Sequence, residues 1–251
     1  MHTDIPDNWY ENFFSGINCE MWRKAATPEW TNAEAEFLKD VLNASNGSHL
    51  LDMPCGVGRH AIALAKHGIN VTAVDISEEF LNDLREAIVK ENLSIDVIQG
   101  NILTLHLNGF FDGAYCLGNS FGYFDHEGMK TFVQKVSSCL KHQAKWVINT
   151  GLLAESFLAK FAKEHRYELG DLVMEISNDY DEWASCLLTT LTYTKNSKQE
   201  VHRFKHYVYT LAEVIRLLQL FNLKTVAVYS STTKTDFKLG DGQAYIVAEK
   251  I

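Results

Sequence analysis

Asp52, Gly56, Gly58 and Asp75 form the most chemically suggestive group in this 251-residue chain. Glycines at 56 and 58 allow a tight turn whose bare backbone can lie against a ligand. A helix that begins just after such a turn presents unpaired N–H groups to an anion or a polar ligand. An acid at the end of the following strand can accept both hydroxyls of a ribose. The spacing therefore predicts a nucleotide-binding turn.

These four residues need a strand, a turn, a helix and a second strand in that order. The apolar run that ends at Leu51 predicts a buried strand, and residues 59–66 have helical periodicity that ends at Gly68. Residues 71–74 predict the next strand, which delivers Asp75. A unit of this kind begins a doubly wound α/β sheet, where ligands bind at the carboxyl ends of the strands.

Two classes of cofactor fit this turn. Residues 56–61 match the dinucleotide pattern G-x-G-x-x-G/A with Asp75 at a suitable distance, which would indicate an NAD(P)-dependent oxidoreductase. S-adenosylmethionine is the other candidate, since it has an amino group and a sulfonium and no phosphate. Asp52 favours it, because a carboxylate just before the turn attracts an ammonium and repels a pyrophosphate.

Residues 50–58 resemble motif I of the class I S-adenosylmethionine-dependent methyltransferases. The family's D-x-G-x-G-x-G run has Pro54 in place of its first glycine here, so the turn must need no N–H at that position. The variant Pro-Cys-Gly-x-Gly-Arg-His resembles one bacterial branch of small-molecule methyltransferases. The resemblance implies S-adenosylmethionine as the cofactor. It also implies a doubly wound, mostly parallel, seven-stranded Rossmann-like sheet with a reversed C-terminal hairpin.

The resemblance also implies which residues hold the cofactor. They are Asp52, Pro54, Cys55, Gly56, Gly58 and Arg59 around motif I, Asp75 and Ile76 after the second strand, Gly100, Asn101 and Ile102 after the third, and Leu117, Gly118 and Asn119 after the fourth. Asn101 stands where the family usually has an acid that accepts from the adenine amino group. Its amide oxygen could do the same, or Asn101 could simply be a turn residue.

The segment 118–124 is expected to lie at the carboxyl edge of the sheet, after a strand at 111–117. In the family, enzymes that act on DNA bases or protein glutamine carry Asn/Asp-Pro-Pro-Tyr/Phe here, and that motif is absent. The formal net charge of −9 also argues against a nucleic acid as the partner. We therefore expect a small-molecule acceptor that contacts Asn119 and Tyr123, although Tyr123 could instead be a core residue.

Residues 152–209 are too long for a plain crossover. Segments 172–179, 184–193 and 201–209 alternate apolar and polar residues and predict a three-stranded antiparallel insertion. It resembles the sheet that roofs the acceptor site in glycine and amino-sugar N-methyltransferases, and a homodimer interface is the alternative. The predicted units are an N-terminal helical cap (1–44), a cofactor-binding core (45–151), the insertion (152–209) and the C-terminal part of the core (210–251).

Aromatic residues are dense at the amino terminus, before a helix predicted at 31–42 with Thr31 and Glu34 as its capping box. This segment is expected either to close over the cofactor or to pack on the sheet. Tyr10 is the candidate for the cavity, because its phenol can form a hydrogen bond and its ring can face a sulfonium cation.

Methyl transfer is an in-line displacement that mainly needs alignment of the acceptor and exclusion of water. Tyr10 and His206 are the candidates for a base or an orienting group. Alternation places His206 on one face of its strand with His202 and Phe204, but it leaves open whether that face points inward. A protein that binds S-adenosylmethionine without transferring its methyl group remains the alternative to an enzyme.

Composition sets the remaining limits. Hydrophobic residues make up 46% of the chain, enough for a sizeable core. The sequence has no signal pattern and no apolar run of membrane-spanning length, which predicts a soluble cytoplasmic protein that does not bind a membrane. Five cysteines without a C-x-x-C pair predict reduced thiols, and no metal site is expected.

Overall fold

The computed structural model describes residues 5–251, which form helices around two β-sheets. The strands, in chain order, are β1 (His49–Asp52), β2 (Asn70–Asp75), β3 (Ile95–Gln99), β4 (Phe111–Cys116), β5 (Leu140–Thr150), β6 (Glu164–Leu169), β7 (Leu172–Asp181), β8 (Cys186–Lys195), β9 (Lys198–Tyr207), β10 (Leu223–Tyr229) and β11 (Ala244–Lys250). The helices are α1 (Tyr10–Phe13), α2 (Ile17–Ala25), α3 (Pro28–Val41), α4 (Arg59–Ala65), α5 (Glu78–Glu91), α6 (His126–Cys139), α7 (Ala154–Phe157) and α8 (Leu211–Gln219), with a 3-10 turn at Leu158–Lys160.

The larger sheet has seven strands in the order β10-β11-β5-β4-β1-β2-β3. Strands β3, β2, β1, β4 and β5 are parallel, and β11 is antiparallel to both β5 and β10. This arrangement confirms the predicted fold class, including the reversed C-terminal hairpin. The strand order changes direction between β1 and β4, and such a switch point opens a crevice for a ligand at the carboxyl ends.

Buried apolar strands and capped helices explain why this sheet forms. Leu50 and Leu51 on β1 are fully buried, as expected for a central parallel strand covered on both faces. Helix α5 begins at the N-cap Ser77, whose hydroxyl accepts from the backbone N–H of Phe80. Helix α8 begins with the capping box that Thr210 forms with Glu213.

The insertion has four strands, in the antiparallel order β6-β7-β8-β9. The prediction of three strands missed β6, since this edge strand is mostly exposed and charged and therefore lacks the alternation that marks a half-buried strand. On β9, His202, Phe204 and His206 face inward. Phe204 packs against Trp9, with ring centroids 5.5 Å apart, so the insertion covers the amino-terminal aromatic residues.

Helix α3 begins at Pro28, three residues before the predicted start. Thr27 is its N-cap and accepts from the N–H of Trp30, while Pro28 occupies a first-turn position that needs no donor. The expected capping box of Thr31 and Glu34 was therefore wrong, and Glu34 is instead fully buried within the helix. Across residues 5–251, no helix combines the length and apolar character needed to cross a membrane.

Candidate functional site

The glycine turn between β1 and α4 is fastened to the end of β2 by Asp75. Its Oδ2 accepts from the N–H of Gly56 at 2.7 Å, and its Oδ1 accepts from the N–H of Ser77 at 2.9 Å. Gly56 and Gly58 have φ angles of 55° and 72°, in the left-handed region that glycine adopts without strain. Pro54, at the position of the family's first glycine, follows a cis peptide bond.

The turn can be tested for its fit to S-adenosylmethionine. A Cβ atom built at Gly56 meets no other atom of residues 5–251 within 4 Å, so the bare backbone faces open space. Asp52 is 1% exposed, and its Oδ2 has no hydrogen-bond partner within those residues. Burial raises the pKa of this carboxyl, which a ligand ammonium beside it would reverse. Both observations fit a cofactor with an amino-acid moiety.

One cavity extends from this turn toward the amino-terminal helices. Its lining includes many residues predicted for the site, namely Tyr10, Pro54, Cys55, Gly56, Arg59, Asp75, Ile76, Ile102, Leu117, Gly118 and Tyr123. It also includes residues for which no site role was predicted: Phe14, Trp22, Val57, His60, Phe80, Ser120 and Phe124. The density of aromatic residues at the amino terminus could have indicated a site role for Phe14 and Trp22. The sequence around Ser120 contains no comparable signal.

Other predicted cofactor residues support the cavity from outside its lining. A Cβ at Gly58 would lie 2.6 Å from Leu84, so this glycine allows α5 to pack closely on the turn. The N–H of Gly100 donates to the carbonyl of Asp75 at 2.9 Å.

Asn101 has both ends of its amide occupied. Its Oδ1 accepts from the N–H of Leu103 at 2.9 Å, and its Nδ2 donates to Glu11 at 3.2 Å. These bonds close a turn and fasten α1 to the loop after β3. They favour the turn-residue alternative over a contact with adenine, whereas the neighbouring Ile102 lies in the cavity wall.

Asn119 and His206 join the loop after β4 to neighbouring segments. Asn119 has φ 66°, and its Oδ1 accepts from the N–H of Gly151 at 2.6 Å. Both ring nitrogens of His206 lie near backbone carbonyls, Nε2 at 3.2 Å from that of Asn119 and Nδ1 at 3.1 Å from that of Tyr207.

His206 is 1% exposed, and burial lowers its pKa to about 4. Its ring stands behind Tyr123, with centroids 5.6 Å apart. A histidine enclosed in this way has no ring nitrogen free to take a proton from an acceptor. Of the two roles expected for His206, this geometry favours the orienting group over the base.

Tyr10 lines the cavity, edge-on to Phe124 with ring centroids 5.0 Å apart. Burial raises the pKa of its phenol, against a smaller opposing effect of Asn101. The phenol therefore remains protonated near neutral pH and can donate a hydrogen bond. The ring of Trp9 packs on that of Tyr123, with centroids 5.0 Å apart, and closes the cavity from the side of the insertion.

Comparison with known proteins supports this site. Residues 50–143 match the family described as "Methyltransferase domain". The chain is 27% identical over 164 residues to a glycine/sarcosine N-methyltransferase of Aphanothece halophytica, an alignment that covers 61% of each protein. It is 38% identical over 93 residues to 24-methylenesterol C-methyltransferase 2 of Oryza sativa subsp. japonica, covering 36% of this chain and 26% of the relative. These alignments span less than two thirds of the relatives' lengths.

Solved structures extend the likeness to nearly the whole chain. An S-adenosylmethionine-dependent methyltransferase from Clostridium acetobutylicum ATCC 824 superposes with a TM-score of 0.79 at 16% identity, over 92% of this chain and 95% of the other. The amino pentose methyltransferase CalS10 from Micromonospora echinaspora, bound to S-adenosylmethionine, gives 0.70 at 14% identity, over 96% and 99%. At these identities the likeness establishes the fold.

The sheet order, the glycine turn and the acid after β2 define an α/β protein that binds a nucleoside cofactor at its switch point. Residues 50–143, which include motif I, match a methyltransferase domain, and the chain is similar to a glycine/sarcosine N-methyltransferase over 61% of its length. The predicted class and cofactor are confirmed. The NAD(P)-dependent alternative finds no support, since the matched family transfers methyl groups.

Proposed function

We propose that this protein transfers the methyl group of S-adenosylmethionine to a small molecule through an amine or a hydroxyl of the acceptor. One observation carries the proposal: a single cavity joins the glycine turn to the polar groups of Tyr10, Ser120 and Tyr123. Trp9 and the insertion cover this end, which suits a compact acceptor better than a polymer. The similarity to glycine/sarcosine and amino pentose methyltransferases favours an amine.

When bound, the cofactor supplies a methyl group already activated by the adjacent positive sulfur. The work left to this chain is to bind, to orient and to exclude water. Gly56 and Asp75 bind on the cofactor side, while Phe14 and Trp22 cover the cavity with apolar surface. Tyr10 donates its phenolic hydrogen bond to a polar atom of the acceptor other than the attacking one. An amine attacks in its neutral form, having lost its ammonium proton before it enters the cavity.

Tyr123 is the acceptor-side residue whose position depends on the insertion. His206 packs against its ring, and the N–H of Tyr207 donates to the carbonyl of Gly122 at 2.7 Å. Gly122 has φ 113°, and a Cβ there would lie 2.3 Å from the His206 ring. The close fit of β9 to this loop supports a role for the insertion in shaping the acceptor pocket. A homodimer, a cytoplasmic location and the absence of a nucleic-acid partner remain predictions.

The proposal can be tested by screening a library of primary amines, secondary amines and hydroxyl compounds. Each compound is added to the protein with S-adenosylhomocysteine, and the unfolding temperature is followed, because a ligand of the native state stabilises it by mass action. We expect stabilisation by a small amine that is absent without the cofactor product and weakened in Tyr123→Phe. Tyr180→Phe, on β7 of the insertion, is the control. Stabilisation by tRNA or DNA and by none of the small molecules would overturn the proposal.

A further inference from the structure

A fully buried acid lies behind the glycine turn. The Glu34 side chain on α3 is 0% exposed. Its Oε2 is 2.6 Å from Nη2 of Arg59 and 2.8 Å from Nε2 of His60, and its Oε1 accepts from the hydroxyl of Tyr245 at 2.9 Å. These partners come from α4 and β11. The cluster therefore joins three elements directly behind a wall of the cavity that Arg59 and His60 also line.

Glu34 is ionised in this setting. Burial by itself raises the pKa of a carboxyl, but His60, Arg59 and Tyr245 together bring that of Glu34 below its usual value. Burial lowers the pKa of His60, which leaves its ring neutral and able to donate one hydrogen bond. Arg59 is thus the cation that compensates a buried negative charge, and removal of either partner would leave the other uncompensated.

The Arg59 guanidinium is held from three directions. Besides its ion pair with Glu34, Nη1 donates to the hydroxyl of Thr31 at 3.1 Å, and the guanidinium carbon lies 5.0 Å from the ring centroid of Trp30. A guanidinium has five N–H donors, and the contacts within residues 5–251 occupy two of them. Arg59 therefore keeps donors for a ligand while its orientation is fixed.

We infer that Glu34 positions Arg59 to bind the carboxylate of the cofactor's amino-acid moiety, an inference that rests on the proposed function. The amino-acid moiety of the cofactor carries both an ammonium and a carboxylate, and the turn has a charged side chain for each. Asp52 precedes the turn and is buried behind the cavity lining, and its Oδ2 has no hydrogen-bond partner within residues 5–251. Arg59 follows the turn and lines the cavity, so an ammonium is favoured on the Asp52 side and a carboxylate beside Arg59. Planar guanidinium and carboxylate groups match in geometry, and an anchored guanidinium loses little freedom when it binds.

The test compares two ligands that differ only in the carboxylate. S-adenosylhomocysteine has it, while S-adenosyl-3-thiopropylamine keeps the adenosine, the sulfur and the amine and lacks the carboxylate. Calorimetry with both ligands on the same sample gives the ratio of their two dissociation constants. This ratio does not depend on the fraction of the protein that is folded. We expect the wild-type protein to prefer S-adenosylhomocysteine by at least about tenfold, as charge-assisted hydrogen bonds imply. Glu34→Gln should bring the ratio close to one.

Glu36→Gln is the matched control, because Glu36 is on the same helix and its ion-pair partners within residues 5–251 are Lys39 and His67 at the surface. It should keep the wild-type ratio. Arg59→Lys keeps the charge beside Glu34 and loses the planar fork, so it should also lower the ratio and provides the test if Glu34→Gln does not fold.

Equal weakening of both ligands in Glu34→Gln and Arg59→Lys would show that the cluster only supports the fold, and an unchanged or higher ratio would also overturn the inference. If the acceptor's carboxylate were the partner of Arg59, these binary complexes would be unaffected. Failure of the wild-type protein to bind S-adenosylhomocysteine at all would instead contradict the proposed function.

Discussion

The backbone at Gly56 offers a direct test of cofactor contact. Its φ of 55° and the open space around a built Cβ mean that alanine would meet no atom of residues 5–251, only the ligand. Left-handed backbone costs a residue with a Cβ about 1–2 kcal/mol of unfolding free energy. A methyl group in the ligand's place should cost a further ~1–3 kcal/mol of binding free energy, as overpacking does in a tight interior. We therefore expect Gly56→Ala to weaken S-adenosylhomocysteine binding by about 5- to 150-fold.

Gly47 provides the matched control. It also has a positive φ, 85°, and a Cβ built there meets no atom of the described part of the chain within 4 Å, but it lies before β1 and away from the cavity lining. Denaturant unfolding should show similar losses of stability in Gly47→Ala and Gly56→Ala, while calorimetry should show weaker binding only in Gly56→Ala. If the two variants bind S-adenosylhomocysteine equally well, the turn does not contact the cofactor and the site has been misplaced.

The other predictions concern Tyr10, Asp75 and His206. Tyr10→Phe should lower turnover by at least about tenfold and leave S-adenosylhomocysteine affinity within a few-fold, and a large affinity loss would refute its place on the acceptor side. Asp75→Asn cannot accept equally from the N–H groups of Gly56 and Ser77, so calorimetry should show adenosine and S-adenosylhomocysteine losing affinity by a similar factor, about tenfold or more. Burial lowers the pKa of His206 to about 4, so the unfolded state binds the proton of this histidine more tightly than the folded state does. The unfolding free energy should therefore fall as the pH falls from about 6.5 to 4, by up to about 3 kcal/mol. Urea unfolding across that range should show a flatter profile in His206→Asn, and an identical slope would contradict the assigned burial.

The cofactor side of the site could be predicted because its information is local. The glycines, Asp52 and Asp75 lie within one strand–turn–helix–strand unit, and the residue types needed for a tight turn are few. The capping box of α8 is equally local, since Thr210 and Glu213 lie three residues apart.

The parts that sequence reasoning missed depend on contacts between distant segments. Glu34 resembled a capping residue, but its burial depends on Tyr245 at the far end of the chain. Strand β6 has no apolar face of its own and pairs only because β7 offers a free edge. The role of His206 depends on which face of β9 meets the loop after β4, and alternation within one strand does not determine that.

Transfer of an isotope-labelled methyl group is the measurement that tests the central claim most directly. The protein would be incubated with labelled S-adenosylmethionine and the amine that stabilises it best, and the products separated by size. The account predicts label in the small-molecule fraction, with an equal amount of S-adenosylhomocysteine, and at least about tenfold less in Tyr10→Phe. Tight cofactor binding with no label transferred to any small molecule, or label recovered in tRNA, DNA or protein, would contradict it.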